Sequence, residues 1–249
     1  MRLRFLSLAT LGVTLLASTI AAAAARKPLH DLSADCPAAA GALVEHFIGA
    51  DCFDCWKAAE PAPGQPRTPG AEPTGARDWS LDWIVPAADD APMAPGALPE
   101  AGDRLARVGP YLAARLQTAP AAIDTRTELQ GPAKGRKFYV HSSLPHNGYL
   151  GVQLHAQGLW PAGSTAWVGL VEQMPVGTRD TVVPRRLVRV LVGPVKLPDA
   201  AGPKGATAPL WGLRWPMNAH PEALVATAWV EDAEGRITQI TTDRCADPR

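Results

Sequence analysis

The chain has 249 residues, 47% of them hydrophobic, with 24 Lys+Arg against 24 Asp+Glu and a formal net charge of zero. This size and composition suit one or two globular domains and exclude a disordered or coiled-coil chain, while charge neutrality removes the electrostatic footprint of a nucleic-acid binder. With 25 Pro and 22 Gly, long loops are expected and long uninterrupted helices are not.

Arg2 and Arg4 precede an apolar run from Phe5 to Ile20, followed by five alanines and then Arg26. Basic start, apolar centre and small-residue cleavage site make residues 1–25 a signal peptide, with the cut expected after Ala25. The apolar run falls short of the ~20 residues that span a bilayer. No second candidate follows, so the expectation is a periplasmic or secreted chain with no membrane span after cleavage. All four cysteines, Cys36, Cys52, Cys55 and Cys245, lie beyond the leader, where disulfides persist. If Cys52 bonds Cys55, Cys36 is left for Cys245, a structural disulfide tying one end of the exported chain to the other. The alternative keeps an outer cysteine as a free thiol or in contact with the inner pair.

After an irregular arm carrying Cys36, Ala42 to Ile48 has the length of a buried strand. Cys52 to Glu60 can begin a helix with Asp51 as its N-cap, and Pro61 and Pro63 stop it. Pro61 to Ala76 reads as an exposed Pro/Gly-rich loop. Asp78 to Val85 reads as a second strand with Trp79, Leu81 and Trp83 on one face. Another Pro-rich loop runs from Pro86 to Pro99. Glu100 to Leu116 has helical spacing interrupted at Gly109-Pro110. From Lys137 the texture changes to short alternating segments, Lys137–Ser142, Leu150–Gln157, Ala166–Gln173, Arg186–Val192, Leu210–Trp215, Ala223–Glu231 and Arg236–Thr241. Their rhythm predicts an antiparallel sandwich, with a hairpin turn at Glu231–Arg236. The expected organisation is therefore a mixed α/β unit over residues 26–133 and a β-sandwich-like domain over 134–249, divided near Gly131 to Gly135.

The sharpest chemical feature is Cys52-Phe-Asp-Cys55, directly after an apolar strand and at the start of a predicted helix. In that arrangement a helix N-terminus stabilises a thiolate at Cys52, which attacks a disulfide, and Cys55 resolves the mixed disulfide. Asp51 and Asp54 flank the sulfurs and oppose that effect by raising thiol pKa values. The run from Val44 to Cys55 resembles the start of an uncharacterised family of secreted bacterial thioredoxin-like proteins, with the pattern V-E-L-F-T-S-x-x-C-x-x-C. Trp79–Val85 is similar to that family's second strand, Asp103–Leu116 to its next helix, and the β-rich remainder to its C-terminal sandwich. The resemblance implies a fold class of α/β thioredoxin-like domain followed by an all-β sandwich. It also implies a redox pair at Cys52 and Cys55, with Pro120, of Thr118-Ala119-Pro120, as a cis-proline packed beside them and shaping the substrate groove. The function expected is thiol–disulfide exchange with exported protein thiols or disulfides. The alternative is a non-catalytic secreted binding or structural module that keeps Cys52–Cys55 as a permanent bond.

No cofactor or metal is called for. One C-x-x-C without a second pair falls short of a zinc site. Copper held by Cys52, Cys55 and His46 competes with the commoner outcome for a strand histidine, burial in a hydrogen bond. His141, His146 and His155 are expected to be dispersed on the surface. Arg185, Arg186 and Arg189 read as a solvated strand edge, and Trp160, Trp167, Trp211, Trp215 and Trp229 as sandwich core.

Overall fold

A computed structural model describes residues 36–37, 40–57, 78–116, 118–131, 134–199 and 208–245. The expected signal peptide and the loop from Pro61 to Ala76 lie outside the described residues. In chain order come β1 (Ala42–Gly49), α1 (Phe53–Lys57), β2 (Trp79–Val85), α2 (Pro99–Val108), α3 (Pro110–Leu116) and β3 (Ala122–Glu128). Seven more strands follow: β4 (Lys137–Ser142), β5 (Tyr149–Gln157), β6 (Thr165–Met174), β7 (Arg185–Lys196), β8 (Leu210–Arg214), β9 (Leu224–Glu231) and β10 (Ile237–Thr242).

Ten strands form two sheets, one of seven in the order β10-β9-β6-β7-β2-β1-β3 and one of three in the order β4-β5-β8. In the larger sheet β1 runs parallel to β2, Leu43 opposite Trp79 and Gly49 opposite Val85, and antiparallel to β3. β2 meets β7 in parallel at Asp82 and Leu187. The rest of that sheet and the whole smaller sheet are antiparallel.

This corrects the expected fold class. The protein is mostly β, not an α/β thioredoxin fold followed by a separate sandwich, because one seven-stranded sheet takes strands from both sides of residues 131–135. The position beside β2 is filled by β7, a strand of the C-terminal half. The predicted helix at Glu100–Leu116 is indeed split, with Gly109 ending α2 and Pro110 starting α3.

Strand alternation decides what each face of the large sheet meets. Phe47, Leu81, Trp83, Trp229 and Ile240 point toward Ala101 and Leu105 of α2 and Leu116 of α3. Alternate residues Ala226, Ala228 and Val230 pack with Val168 and Leu170 against Phe138, Val152 and Leu154 of the small sheet. Beside that second core lies a smaller cluster of Ile48, Cys52, Trp56, Ile84, Met174 and Leu187, where α1 covers β1, β2 and β7.

Two buried ionic networks fix the helices to the sheet. The Arg104 guanidinium on α2, 1% exposed, donates from Nε to Glu45 Oε1 at 2.9 Å and from Nη2 to Glu45 Oε2 at 2.6 Å. Its Nη1 reaches Glu231 Oε1 at 3.1 Å and the Gly235 carbonyl at 2.6 Å. The indole N–H groups of Trp83 and Trp229 donate to the same two carboxylates. Burial opposes the charge on Arg104, but attraction and hydrogen bonding from Glu45 outweigh it and raise its pKa. Arg185 of β7 donates to Asp82 at 2.6 Å and to the Trp56 carbonyl at 2.7 Å, with its guanidinium 4.7 Å from the centre of the Trp56 ring. α1 is thereby tied to β2 and β7 at once.

Candidate functional site

Gly49 ends β1, and the Cys52 N–H donates to its carbonyl at 2.9 Å, turning the chain into α1. Cys52 and Cys55 are disulfide-bonded, with Cα atoms 5.2 Å apart. Cys36 and Cys245 are also bonded across 209 positions of sequence. The inner pair stands at the end of a sheet strand as its spacing suggests, but its exposure is the reverse of what attack by Cys52 requires. Cys52 is 8% exposed and packs into the apolar cluster with Ile48, Trp56 and Ile84, whereas Cys55 is partly exposed.

Pro120 is exposed, two residues before β3, and the neighbouring Ala121 carbonyl accepts the Gly49 N–H at 3.0 Å. The cis peptide bond among the described residues is Gly193-Pro194, so the Ala119-Pro120 bond departs from the cis form that the resemblance implies.

His46 is partnered away from the sulfurs. Its Nδ1 lies 2.7 Å from Asp124 Oδ1 across β1 and β3, and Asp82 is its register partner on β2. Burial depresses the imidazole pKa most, but the Asp124 hydrogen bond and the charges of Asp82 and Asp124 together raise it above 6.5, against an opposing push from Arg185. Among the described residues no group of three or more His, Cys, Asp or Glu side chains is placed to hold a metal ion. Of His141, His146 and His155, the first and last are brought together rather than dispersed, their ring centres 5.6 Å apart with Tyr139 stacked on His155. The two-residue period places residues 139 and 141 on one face of β4, and register puts Tyr139 opposite His155.

The main departure from the sequence reading is the arginine cluster. β7 lies in the interior of the large sheet, and Arg185 and Arg189 are buried, so these residues are not a solvated edge. Arg186 donates to Ser80 and stacks on Trp79. Arg189 sits where Val188 pairs with Val171 and Val190 with Leu170, leaving Arg189 itself without a partner on β6. Such a bulge re-aims a side chain. The run Leu187-Val-Arg-Val-Leu-Val192 contained the signal: a charge embedded in a continuous apolar strand reads as a buried ion in need of partners, not as an edge.

Arg189 lines a cavity of about 270 Å³ beside the Cys52–Cys55 turn. Phe53 and Trp56 of α1, Ile84 of β2 and Leu187 of β7 supply apolar wall, and the loop between β2 and α2 adds Met93 and Gly96. That loop is held to the cysteine turn by the Met93 N–H, which donates to the Ala50 carbonyl at 3.0 Å. Asn218 spans the rim, accepting from Arg189 Nη2, donating to the Pro95 carbonyl, and accepting from Arg179 through its own carbonyl. Trp56 Nε1–H donates to the Arg179 carbonyl at 2.8 Å, closing the other side. Behind Arg189, its Nε lies 3.4 Å from Glu172 Oε2, both side chains fully removed from solvent. Burial, more than anything else, lowers the Arg189 pKa; Glu172 resists and Arg179 adds to the fall.

No family model, no curated protein and no solved structure matches the chain. The resemblance to thioredoxin-like proteins thus rests on its motif alone.

Proposed function

We propose that the chain is a non-catalytic, exported binding module in which Cys52–Cys55 is a permanent bond bracing one wall of a ligand cavity. The observation that carries this reading is a set of shared residues: Trp56, Ile84 and Leu187 belong both to the apolar cluster that buries Cys52 and to the cavity lining. A disulfide placed there holds the turn that presents Phe53 and Trp56 to the cavity. Two disulfides favour an oxidising compartment over the cytosol.

Thiol–disulfide exchange is the second reading, supported by the partial exposure of Cys55. It requires attack on the Cys55 sulfur and a stable dithiol form, with Cys52 released into an apolar cluster that already encloses it. A redox titration of the full chain, read by alkylation and mass spectrometry, separates the two. The binding-module reading predicts a Cys52–Cys55 potential below about −300 mV, in the range of structural bonds. A value in the range of roughly −120 to −270 mV, where dedicated exchangers lie, contradicts it.

A further inference from the structure

The geometry points to a divalent-cation site on the outer face of the small sheet, where His141 of β4 and His155 of β5 ligate one late first-row ion, zinc or copper(II), and water completes its coordination. The site is separate from the cavity at the cysteine turn and takes nothing from the reading of that cavity.

Register makes the pair. β4 and β5 run antiparallel with Tyr139 opposite His155 and His141 opposite Gln153. Alternation sends Val140 and Leu154 into the core beneath and leaves Tyr139, His141, Gln153 and His155 together on the other face. His141 and His155 are therefore diagonal neighbours, and their ring centres lie 5.6 Å apart. An ion bonded at the roughly 2.0–2.1 Å of a metal–imidazole bond stands about 3.2 Å from each ring centre, so two imidazoles on one tetrahedral ion have centres about 5.2 Å apart. The observed spacing is close to that value, and a small turn of one ring closes the difference.

The two rings are prepared differently. Tyr139 stacks on His155 with ring centres 4.6 Å apart and planes 11° from parallel, which holds the His155 ring before an ion arrives. His141 is exposed near the end of β4, so its ring reorients about χ1 and χ2 without disturbing the core. Binding then costs the ordering of one side chain rather than two. Each imidazole ligates through one nitrogen and keeps the N–H of the other for an outer acceptor. Neutral imidazole suits zinc and copper(II), whereas magnesium and calcium prefer oxygen donors. Two protein ligands are fewer than the three-residue groups that are absent among the described residues, and solvent at this exposed face supplies the remaining positions. Lys137, two residues before Tyr139 on the same face, is exposed to water, and salt screens its repulsion.

Calorimetric titration of the full chain with zinc, copper(II) and magnesium chlorides tests this. Zinc and copper(II) should each bind saturably, copper more tightly as the Irving–Williams order requires, and magnesium should not. His141→Gln and His155→Gln should each weaken binding at least about tenfold, the lower end of what losing even an outer partner of a metal ligand costs. Both side chains project from the solvent face of the sheet, so circular dichroism should show these variants folded. His146→Gln, between β4 and β5, should leave the affinity unchanged. Electron paramagnetic resonance of the copper(II) form should show coupling to two imidazole nitrogens. Coupling to a single nitrogen would overturn the two-histidine site, as would affinity retained when both His141 and His155 are replaced. Failure of zinc and copper(II) to saturate the chain at about millimolar concentration would overturn it as well. Each of these outcomes leaves the cavity and its disulfide to the redox titration.

Discussion

Arg189 and Glu172 show how much a single strand position can hide. Glu172 is 0% exposed; its Oε1 accepts the His220 N–H at 3.0 Å, and its Oε2 faces Arg189. Truncation at Glu172→Ala leaves a guanidinium buried without its counter-ion. We expect a loss of about 3–5 kcal/mol in the stability read by urea denaturation. A change under about 1 kcal/mol, the scale of an exposed pair, would show that Arg189 has relaxed into solvent. His46 provides a pH-dependent counterpart. Its folded pKa is raised above 6.5, so the protonated form adds stability that is fully present below that value and is lost as pH rises through the folded pKa. Asp124→Asn keeps an oxygen that can accept from the imidazole but removes the carboxylate charge that strengthens this hydrogen bond and favours the protonated ring. Between pH 6 and pH 8 the unmodified chain should therefore lose more stability than the variant, as read from urea midpoints; equal losses would exclude His46 as the source. Histidine and arginine positions were visible in the sequence, but their partners were not, since Asp124 lies 78 positions from His46.

At the scale of elements, the boundaries of the strands were largely legible because two-residue alternation and Pro/Gly/Asn punctuation mark them directly. The segments expected at Lys137–Ser142 and Leu150–Gln157 are close to β4 and β5, and Leu210–Trp215 to β8. Pairing was not legible. Nothing in the composition of Trp79–Val85 says that its free edge meets β7 rather than a further α/β strand, and β2 joins β7 through the register pair Asp82 and Leu187. The helix α2 was found from its spacing, yet what holds it is Arg104, whose acidic partners come from β1 and β9. Arg104→Ala strands Glu45 and Glu231 in the interior and should destabilise the fold by about 3–5 kcal/mol, measured by chemical denaturation. A milder loss would mean that α2 is held by Ala101 and Leu105 packing alone. The Cys36–Cys245 bond closes a loop of more than two hundred residues. Replacing both cysteines by serine should lower stability by up to about 5 kcal/mol in the chain-entropy model. No change in melting temperature on reduction of that bond would contradict this estimate.

For the whole molecule, the shared sheet matters more than the two sequence textures that suggested separate units. Strands β1, β2 and β3 continue through β7 into β6, β9 and β10, so the aromatic stack of Phe47, Trp83 and Trp229 crosses from the first half of the chain to the second. A structure connected in this way should unfold as one cooperative unit. Calorimetry is expected to give a single transition with equal calorimetric and van't Hoff enthalpies, whereas two resolved transitions would restore the two-domain picture. The cavity owes its existence to the same connection, because α1 and the loop after β2 come from one half while Arg189, Arg179 and Asn218 come from the other. That is also why the site escaped the sequence: its walls are assembled across the very boundary at which the chain was expected to divide. The most direct test is the redox titration of the full chain, with Cys52 and Cys55 followed separately by differential alkylation. A bond that stays oxidised down to below about −300 mV, with the Cys52 sulfur still shielded among Ile48, Trp56 and Ile84, is the predicted result. Reduction in the range of roughly −120 to −270 mV would contradict a permanent bond bracing the wall of the cavity.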